Sequence, residues 1–287
     1  EPADTVYLLA PSGPVSYRDI DIAAPGAATA DLLRVLRPLR EGGARITVVT
    51  GNAWALGAEE HVDPVAAGLS GLARGAAREA NGLMAVIDID PRDNPQTNAA
   101  LIAAEPPQRE GETIMLRRGV RYRMWLDPVE LPRDRETPWR TGGHYLIVGG
   151  AGGIGQVLSQ DLARRHGAKL TWIGRRVRDD AIDSGIAAIR EAGGDAQYLS
   201  ADATDPMALA SAVDQAVAAF GPLNGAIHSA LVLRDGMLLR MGEADLLAAF
   251  DVKARGGLAL ARTLEGRDLD FLAVFSSAVV FTANPGQ

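Results

Sequence analysis

Ten residues, Leu146 to Gly155, read LIVGGAGGIG, an apolar run that empties into five glycines and then a helical pattern. A strand, a glycine turn and a helix in that order build a phosphate cradle. Backbone N–H groups can approach a pyrophosphate there, and the helix N-terminus adds partial positive charge. Gly149, Gly153 and Gly155 keep a G-x-x-x-G-x-G spacing. The next apolar segment ends in Ile173-Gly174-Arg175-Arg176, where an NAD site would carry a carboxylate for the ribose hydroxyls. Guanidinium groups suit a 2′-phosphate instead, so the expected cofactor is NADPH; the plainer alternative is a pair of solvated surface arginines. Asp202, after the third segment, is placed to accept from an adenine amino group or to serve an ordinary turn.

Further on, Lys253 stands mid-helix in AAFDVKARGGLAL beside a stripe of Leu247, Phe250, Ala254, Leu258 and Ala261. It reads either as a working ammonium or as a lysine that snorkels to water. The Gly256-Gly257 pair that follows costs helix propensity and is tolerated where a backbone must come close to something. Ser276 and Ser277 end the last apolar segment, at the edge where ligands of parallel sheets bind.

Composition narrows the classes. With 29 Lys+Arg against 36 Asp+Glu the net charge is −7, which argues against a nucleic-acid surface. There is no cysteine, which excludes disulfides and cysteine-based zinc sites and allows the cytoplasmic location expected. The four histidines, His61, His144, His166 and His228, show no metal-ligand spacing, and no metal is expected. No apolar run approaches the roughly 20 residues that span a bilayer.

The elements that must position these residues alternate along the chain. In the first half, Val6–Ala10, the ARITVVT segment and Leu83–Ile89 read as strands. Ala28–Arg40 and a helix opened by Asp63-Pro64 and running to about Ala80 lie between them. Asn98–Ala104 is a short helix candidate, and Thr113–Leu116 with Arg121–Leu126 a closing hairpin around Arg118-Gly119. This half has no glycine fingerprint at its strand ends. Asp127 to Gly143, rich in Pro and charge, reads as a linker. The second half gives strands Tyr145–Val148, Lys169–Ile173, Ala196–Leu199, Leu223–His228 and Leu269–Phe275. Its helices are Gln156–His166, Ala181–Ala192, one capped by Asp205-Pro206, and Glu243–Leu264. Continuously apolar strands alternating with helices predict an α/β protein of two Rossmann-like, doubly wound parallel sheets, the first degenerate and the second binding a dinucleotide.

Taken together, YLIVGGAGGIG, WIGRR, ADATD, IHSALVLRD, FDVKARGGLAL and FSSAVVFTANPGQ resemble the ketoreductase domain of modular polyketide synthases, a branch of the short-chain dehydrogenases/reductases. The wording of IHSALVL and NPGQ is most similar to the trans-acyltransferase type. The resemblance implies a structural, non-cofactor-binding subdomain over residues 1–140 and a catalytic NADPH-binding subdomain over 141–287. It implies cofactor contacts from Gly149, Gly150, Ala151, Gly152, Gly153, Ile154 and Gly155, from Arg175, Arg176, Asp202 and Ala203, and from His228, Ser229 and Ala230. Lys253 matches the family's lysine, and Ser277, 24 positions on, its serine. The family's tyrosine and asparagine belong to a Y-A-A-x-N segment that would follow Gly286-Gln287, so the sequence is expected to stop short of them.

The implied reaction is hydride transfer from NADPH to the C3 carbonyl of a β-ketoacyl chain on an acyl carrier protein, among neighbouring synthase domains. Two departures stand out. Val148 replaces the usual threonine before the glycines, and Leu233-Arg234-Asp235 replaces the L-D-D of many domains that form the D-hydroxyl. Thr282 stands where the opposite stereochemical class carries tryptophan, so Leu233 and Asp235 point to the D-hydroxyl class. The competing readings are an inactive reductase-like scaffold and a free-standing short-chain dehydrogenase. The α/β half that precedes the glycine run speaks against the latter.

Overall fold

A computed structural model describes residues 5–10, 17–80, 82–106, 112–131, 137–238 and 240–286. Residues 132–136 of the expected linker, and Gln287, lie outside them. The chain forms two compact units: residues 1–129 with 233–248 and 277–287, and residues 130–232 with 249–276. Two segments that come late in the sequence thus belong in space with the first half.

The first unit is built on strands β1 (Thr5–Leu9), β2 (Arg45–Gly51), β3 (Met84–Ile89), β4 (Thr113–Arg117) and β5 (Val120–Arg123), adjacent in that same order. All pairs are parallel except the β4–β5 hairpin, which turns through Arg118 and Gly119, both at positive φ. Helices α1 (Ala24–Glu41), α2 (Pro64–Glu79) and α3 (Pro95–Ala104) connect the parallel strands. Pro64 and Pro95 sit in the first turn, where a missing N–H costs nothing, and the Asp63 and Asn94 side chains cap the next free amides. Leu33, Leu36, Ile46, Val48, Ala73, Ala77, Met84 and Val86 form the main core, and Leu238, from the late segment 233–248, is buried with them.

At the carboxyl ends of β2 and β3 there is no glycine turn. Asp88, fully buried, accepts from the Thr50 hydroxyl at 2.7 Å, the Ala53 N–H at 2.8 Å and the Arg117 guanidinium at 2.6 Å. Arg117, also buried, donates to the carbonyls of Trp54 and Asp88. Burial pushes the Asp88 carboxyl upward, while these donors pull it down. A buried ion pair therefore fills the strand ends of this sheet, with Glu60 Oε2 3.5 Å from the Arg117 Nε.

The second unit carries β6 (His144–Val148), β7 (Lys169–Gly174), β8 (Asp195–Ser200), β9 (Gly225–His228) and β10 (Phe271–Val274), in the spatial order β10-β9-β6-β7-β8 and wholly parallel. Helices α4 (Gly153–His166), α5 (Asp180–Glu191), α6 (Pro206–Phe220) and α7 (Glu243–Leu264, whose residues to Ala248 belong to the first unit) alternate with them in sequence; the four-residue α8 (Val279–Thr282) follows β10 and belongs to the first unit. The winding reverses at β6, which pairs β7 on one side and β9 on the other. That reversal opens a crevice at the strands' carboxyl ends, and the sequentially ordered first sheet has none. The α/β expectation of two parallel-dominated sheets holds.

Trp172, Tyr145, Ile147, Leu162, Leu170 and Ile186 anchor the second core. Trp139, at the end of the expected linker, stands edge-on to Tyr145 at 5.0 Å and to Phe271 at 4.9 Å, so the linker's last residues are tied to the sheet they precede. Among the described residues no helix is long and apolar enough to cross a membrane, and no three His, Asp or Glu side chains gather as a metal site.

Candidate functional site

β6 delivers the chain into the glycine run at the crevice. Gly149 has φ +84°, and a Cβ there would stand 2.6 Å from the Ala230 nitrogen, so the turn can pass under the end of β9 only without a side chain. Gly155 packs backbone on backbone, since a Cβ would lie 2.5 Å from the Gly150 carbonyl oxygen. Gly153 is different: nothing lies within 4 Å of where its Cβ would be. Helix α4 starts at Gly153, earlier than the apolar periodicity suggests, because three weak helix formers lead it. Its first amide with an acceptor among the described residues is Gln156, bonded to the Gly152 carbonyl at 2.9 Å. The N–H groups of Gly153, Ile154 and Gly155 are thus free donors. No acidic side chain stands in the first turn to compete, while Arg164, Arg165 and His166 complement the dipole at the other end.

These donors open on a cleft of about 620 Å³ at the ends of β6 to β9. Gly149, Ala151, Gly152, Gly153, Ile154, Gly155, Arg175, Arg176, Asp202, Ala203, Ser229 and Ala230 line it. Gly150 does not; it faces the Trp172 ring. Arg175 and Arg176 are exposed on the rim, and Tyr198, which also lines the cleft, braces their turn by donating its hydroxyl to the Arg176 carbonyl at 2.7 Å. Asp202 spends Oδ1 on the N–H and hydroxyl of Thr204, both at 2.9 Å. Thr204, Tyr198, Leu231 and Val252 are lining residues that sequence reasoning missed. Thr204 was within reach, because Asp-x-Thr is an Asx-turn pattern; Tyr198 and Val252 carry no local signal. Free donors, open space at Gly153 and cations on the rim fit the phosphates of a dinucleotide.

His228 does not line the cleft. It is fully buried on β9, and neither ring nitrogen has a hydrogen-bond partner among the described residues. Burial, with Lys253 nearby, lowers its pKa to about 4. His144, also buried, is lowered in the same direction; its ring bonds the Gly221 carbonyl and the Thr171 hydroxyl, each at 2.9 Å. Both rings are therefore neutral in the fold, whereas in the unfolded chain they gain protons below about pH 6.5. Stability is complete above that pH and drains as the pH falls towards 4, by about 3 kcal/mol for His228 alone. Urea melts at pH 6.5, 5.5 and 4.5 check this: His228→Leu should lose less stability over that range than the unsubstituted protein.

Lys253, half-buried on α7, donates from Nζ to the Phe275 carbonyl at 3.0 Å, and burial pushes its pKa down. Its ammonium is thus tethered to the end of β10 rather than snorkelling freely. Ser277, two residues past Phe275, is exposed and accepts the Val279 N–H on Oγ at 3.3 Å. Leu233 and Asp235 are exposed, and Arg234 between them pairs with Asp245 at 3.3 Å. Lys253 belongs to the second unit; Ser277, Leu233 and Asp235 belong to the first.

Comparison with known proteins divides the chain by sequence instead, so that residues 233–248 and 277–287 fall with the second half. The KR domain family matches residues 143–287, and a family described as "Polyketide synthase extender module SpnB, Rossmann fold domain" matches residues 1–123. Polyketide synthase ThaG of Burkholderia thailandensis is 35% identical over 99% of the chain, and polyketide synthase PksN of Bacillus subtilis 32% identical over 84%. The chain spans only 5% of the first and 4% of the second. Among solved structures, an N-terminal ketoreductase from the macrolactin assembly line superposes with a TM-score of 0.80 over 99% of this chain and 58% of its own, at 19% identity. That likeness speaks for the fold.

Proposed function

The chain belongs to the ketoreductase-domain family of polyketide synthases, and from that premise we propose that it reduces a β-ketoacyl chain, carried on an acyl carrier protein, to the β-hydroxyacyl chain with NADPH. The observation that carries the reading is the cleft at the reversal of the second sheet, with free α4 amides, open space at Gly153, and Arg175 and Arg176 on its rim. NADPH, when bound, supplies the hydride. The amides of Gly153, Ile154 and Gly155 hold its pyrophosphate, Arg175 and Arg176 its 2′-phosphate, and the remaining oxygen of Asp202 its adenine amino group.

Ser277 donates its hydroxyl to the substrate carbonyl oxygen, where negative charge develops during reduction. The proton comes from the tyrosine that the resemblance places after Gln287. Lys253, fixed through the Phe275 carbonyl, holds the nicotinamide ribose and lowers that tyrosine's pKa from about 10 by its charge. Leu233 and Asp235 guide the substrate towards the D-hydroxyl product. Residues 1–140 play a structural part: their sheet has a buried ion pair where a dinucleotide cradle would stand. The setting is a synthase of the trans-acyltransferase type, with the domain working among its neighbours.

Fluorescence titration with NADPH and NADH tests the cofactor, and loss of reduced-nicotinamide absorbance with a β-ketoacyl thioester tests turnover in the natural chain with any residues that follow Gln287. Arg175→Ala with Arg176→Ala should weaken NADPH about 30-fold, a shift of about 2 kcal/mol, and leave NADH nearly unchanged. Equal affinities of the unsubstituted protein for the two cofactors would overturn the role of the arginines. NADPH binding without turnover would favour the inactive scaffold.

A further inference from the structure

Helix α2 reaches two segments that follow it by more than 150 positions in sequence. Glu79, its last residue, accepts the Leu238 N–H on Oε2 at 2.9 Å and on Oε1 at 3.2 Å. The same Oε1 accepts the Gly286 N–H at 3.1 Å. Gly236 in turn donates to the Gly286 carbonyl at 2.8 Å, so one carboxylate staples the turn around 236–238 to the chain at 286. Five residues earlier on the helix, the buried Arg74 donates to the carbonyls of Val280 and Phe281, the latter at 2.8 Å. Arg74 is itself fixed: its guanidinium lies 5.4 Å from the Trp54 ring, and that indole bonds Ser70 at 2.9 Å. Leu238, 7% exposed, sits in the first unit's core and closes the same contact with apolar surface.

The pieces of chain so held are not arbitrary. Leu233 and Asp235 lie just before the turn at 236–238, and Ser277 just before α8, whose carbonyls Arg74 binds. We infer that Glu79 and Arg74 are positioning residues for substrate recognition: the α2 clamp sets where Leu233, Asp235 and Ser277 stand, and hence how firmly the ketoacyl group is gripped and which hydroxyl forms. The inference rests on the reading of those three residues given under Proposed function. A carboxylate is the right group for this task. Its two oxygens take the N–H groups of two segments at once, that of Leu238 shared between both oxygens, and charge-assisted bonds of this kind are stronger than neutral ones. An amide in its place would turn an NH₂ towards one of the N–H donors. Glu79→Gln is therefore a clean probe, with little change of volume, and Arg74→Met removes the second half of the clamp while keeping an unbranched stem.

The experiment uses the natural chain with any residues that follow Gln287. It measures KM and kcat for a β-ketoacyl thioester, the ratio of the two hydroxyl configurations, the Kd for NADPH, and amide exchange across 233–241 and 277–286. Glu79→Gln is expected to raise KM about tenfold and erode the configuration ratio. It should speed exchange at Leu238 and Gly286 while leaving the NADPH Kd unchanged. Arg74→Met should do the same with exchange centred on 280–282. If exchange rises in both variants while KM and the configuration ratio stay put, the clamp is structural only and the inference falls. A parallel loss of NADPH affinity would mean general destabilisation and would also overturn it. If the unsubstituted protein reduces no thioester, the proposed function fails and the inference with it. Normal turnover with an unaffected Glu79→Gln defeats the inference alone.

Discussion

Gly153→Val is expected to raise the Kd for NADPH about 100-fold, close to 3 kcal/mol, while shifting the unfolding free energy by less than about 1 kcal/mol. Gly155→Val, two residues on, should unfold the second unit instead. The contrast follows from what a side chain meets at each place. At Gly153 the space is open, and the position lines the cleft at the first turn of α4, so valine methyls would stand where the pyrophosphate approaches its amides. At Gly155 a Cβ would lie 2.5 Å from the Gly150 carbonyl oxygen and 2.6 Å from its Cα. Backbone cannot turn aside as a flexible side chain can, so the helix must leave the strand or the turn must break. Overpacking in a tight core costs about 1–3 kcal/mol, and a valine between two backbones belongs at or beyond the top of that range. Titration with NADPH, run beside urea melts of both variants, checks the pair. Normal NADPH binding by Gly153→Val would remove the cradle from the functional reading.

Asp88→Ala is expected to destabilise the first unit by about 3–5 kcal/mol, because it leaves the buried Arg117 with only the partly exposed Glu60, 3.5 Å from its Nε, to balance its charge. Arg117 is 5% exposed and its partner 0%, so water cannot take the carboxylate's place without opening the strand ends. The Thr50 hydroxyl and the Ala53 amide would lose their acceptor at the same time. Removing both charges together, as Asp88→Leu with Arg117→Met, should cost clearly less than Asp88→Ala alone, since an apolar pair of similar volume needs no partners. Equilibrium melts of the three proteins give the answer. A double variant as unstable as the single one would show that the neutral hydrogen bonds, not the ion pair, hold this end of the sheet.

Most of the frame was legible because its signals are local. Asp63-Pro64 and Asp205-Pro206 announced helices that begin at Pro64 and Pro206, and Gly167 takes the left-handed cap that ends α4. The β4–β5 hairpin appeared around the two residues named for it. The apolar periodicity predicts α1 only from Ala28, whereas the helix opens at Ala24, with Pro25 in its first turn, before that periodicity begins. The cleft followed the glycine run and the arginine pair, both of which are patterns of neighbours.

What escaped was everything that depends on partners far apart in the chain. Nothing in the surroundings of Asp88 marks it as the mate of Arg117, and Glu79 looks like any helix-ending acid until it is found holding amides 159 and 207 positions away. The same blindness hid the membership of residues 233–248 and 277–287 in the first unit. Periodicity reads a helix's buried stripe but not what covers it.

That membership has a consequence for how the protein comes off the ribosome. The first sheet, α1 and α2 are synthesised early, yet Leu238, whose burial stabilises by about 1.5–3 kcal/mol, and the amides that Glu79 awaits arrive only after β6 to β9 have emerged. Vectorial synthesis therefore starts the first unit first and finishes it last, with β6 to β9 made between the bulk of its core and Leu238.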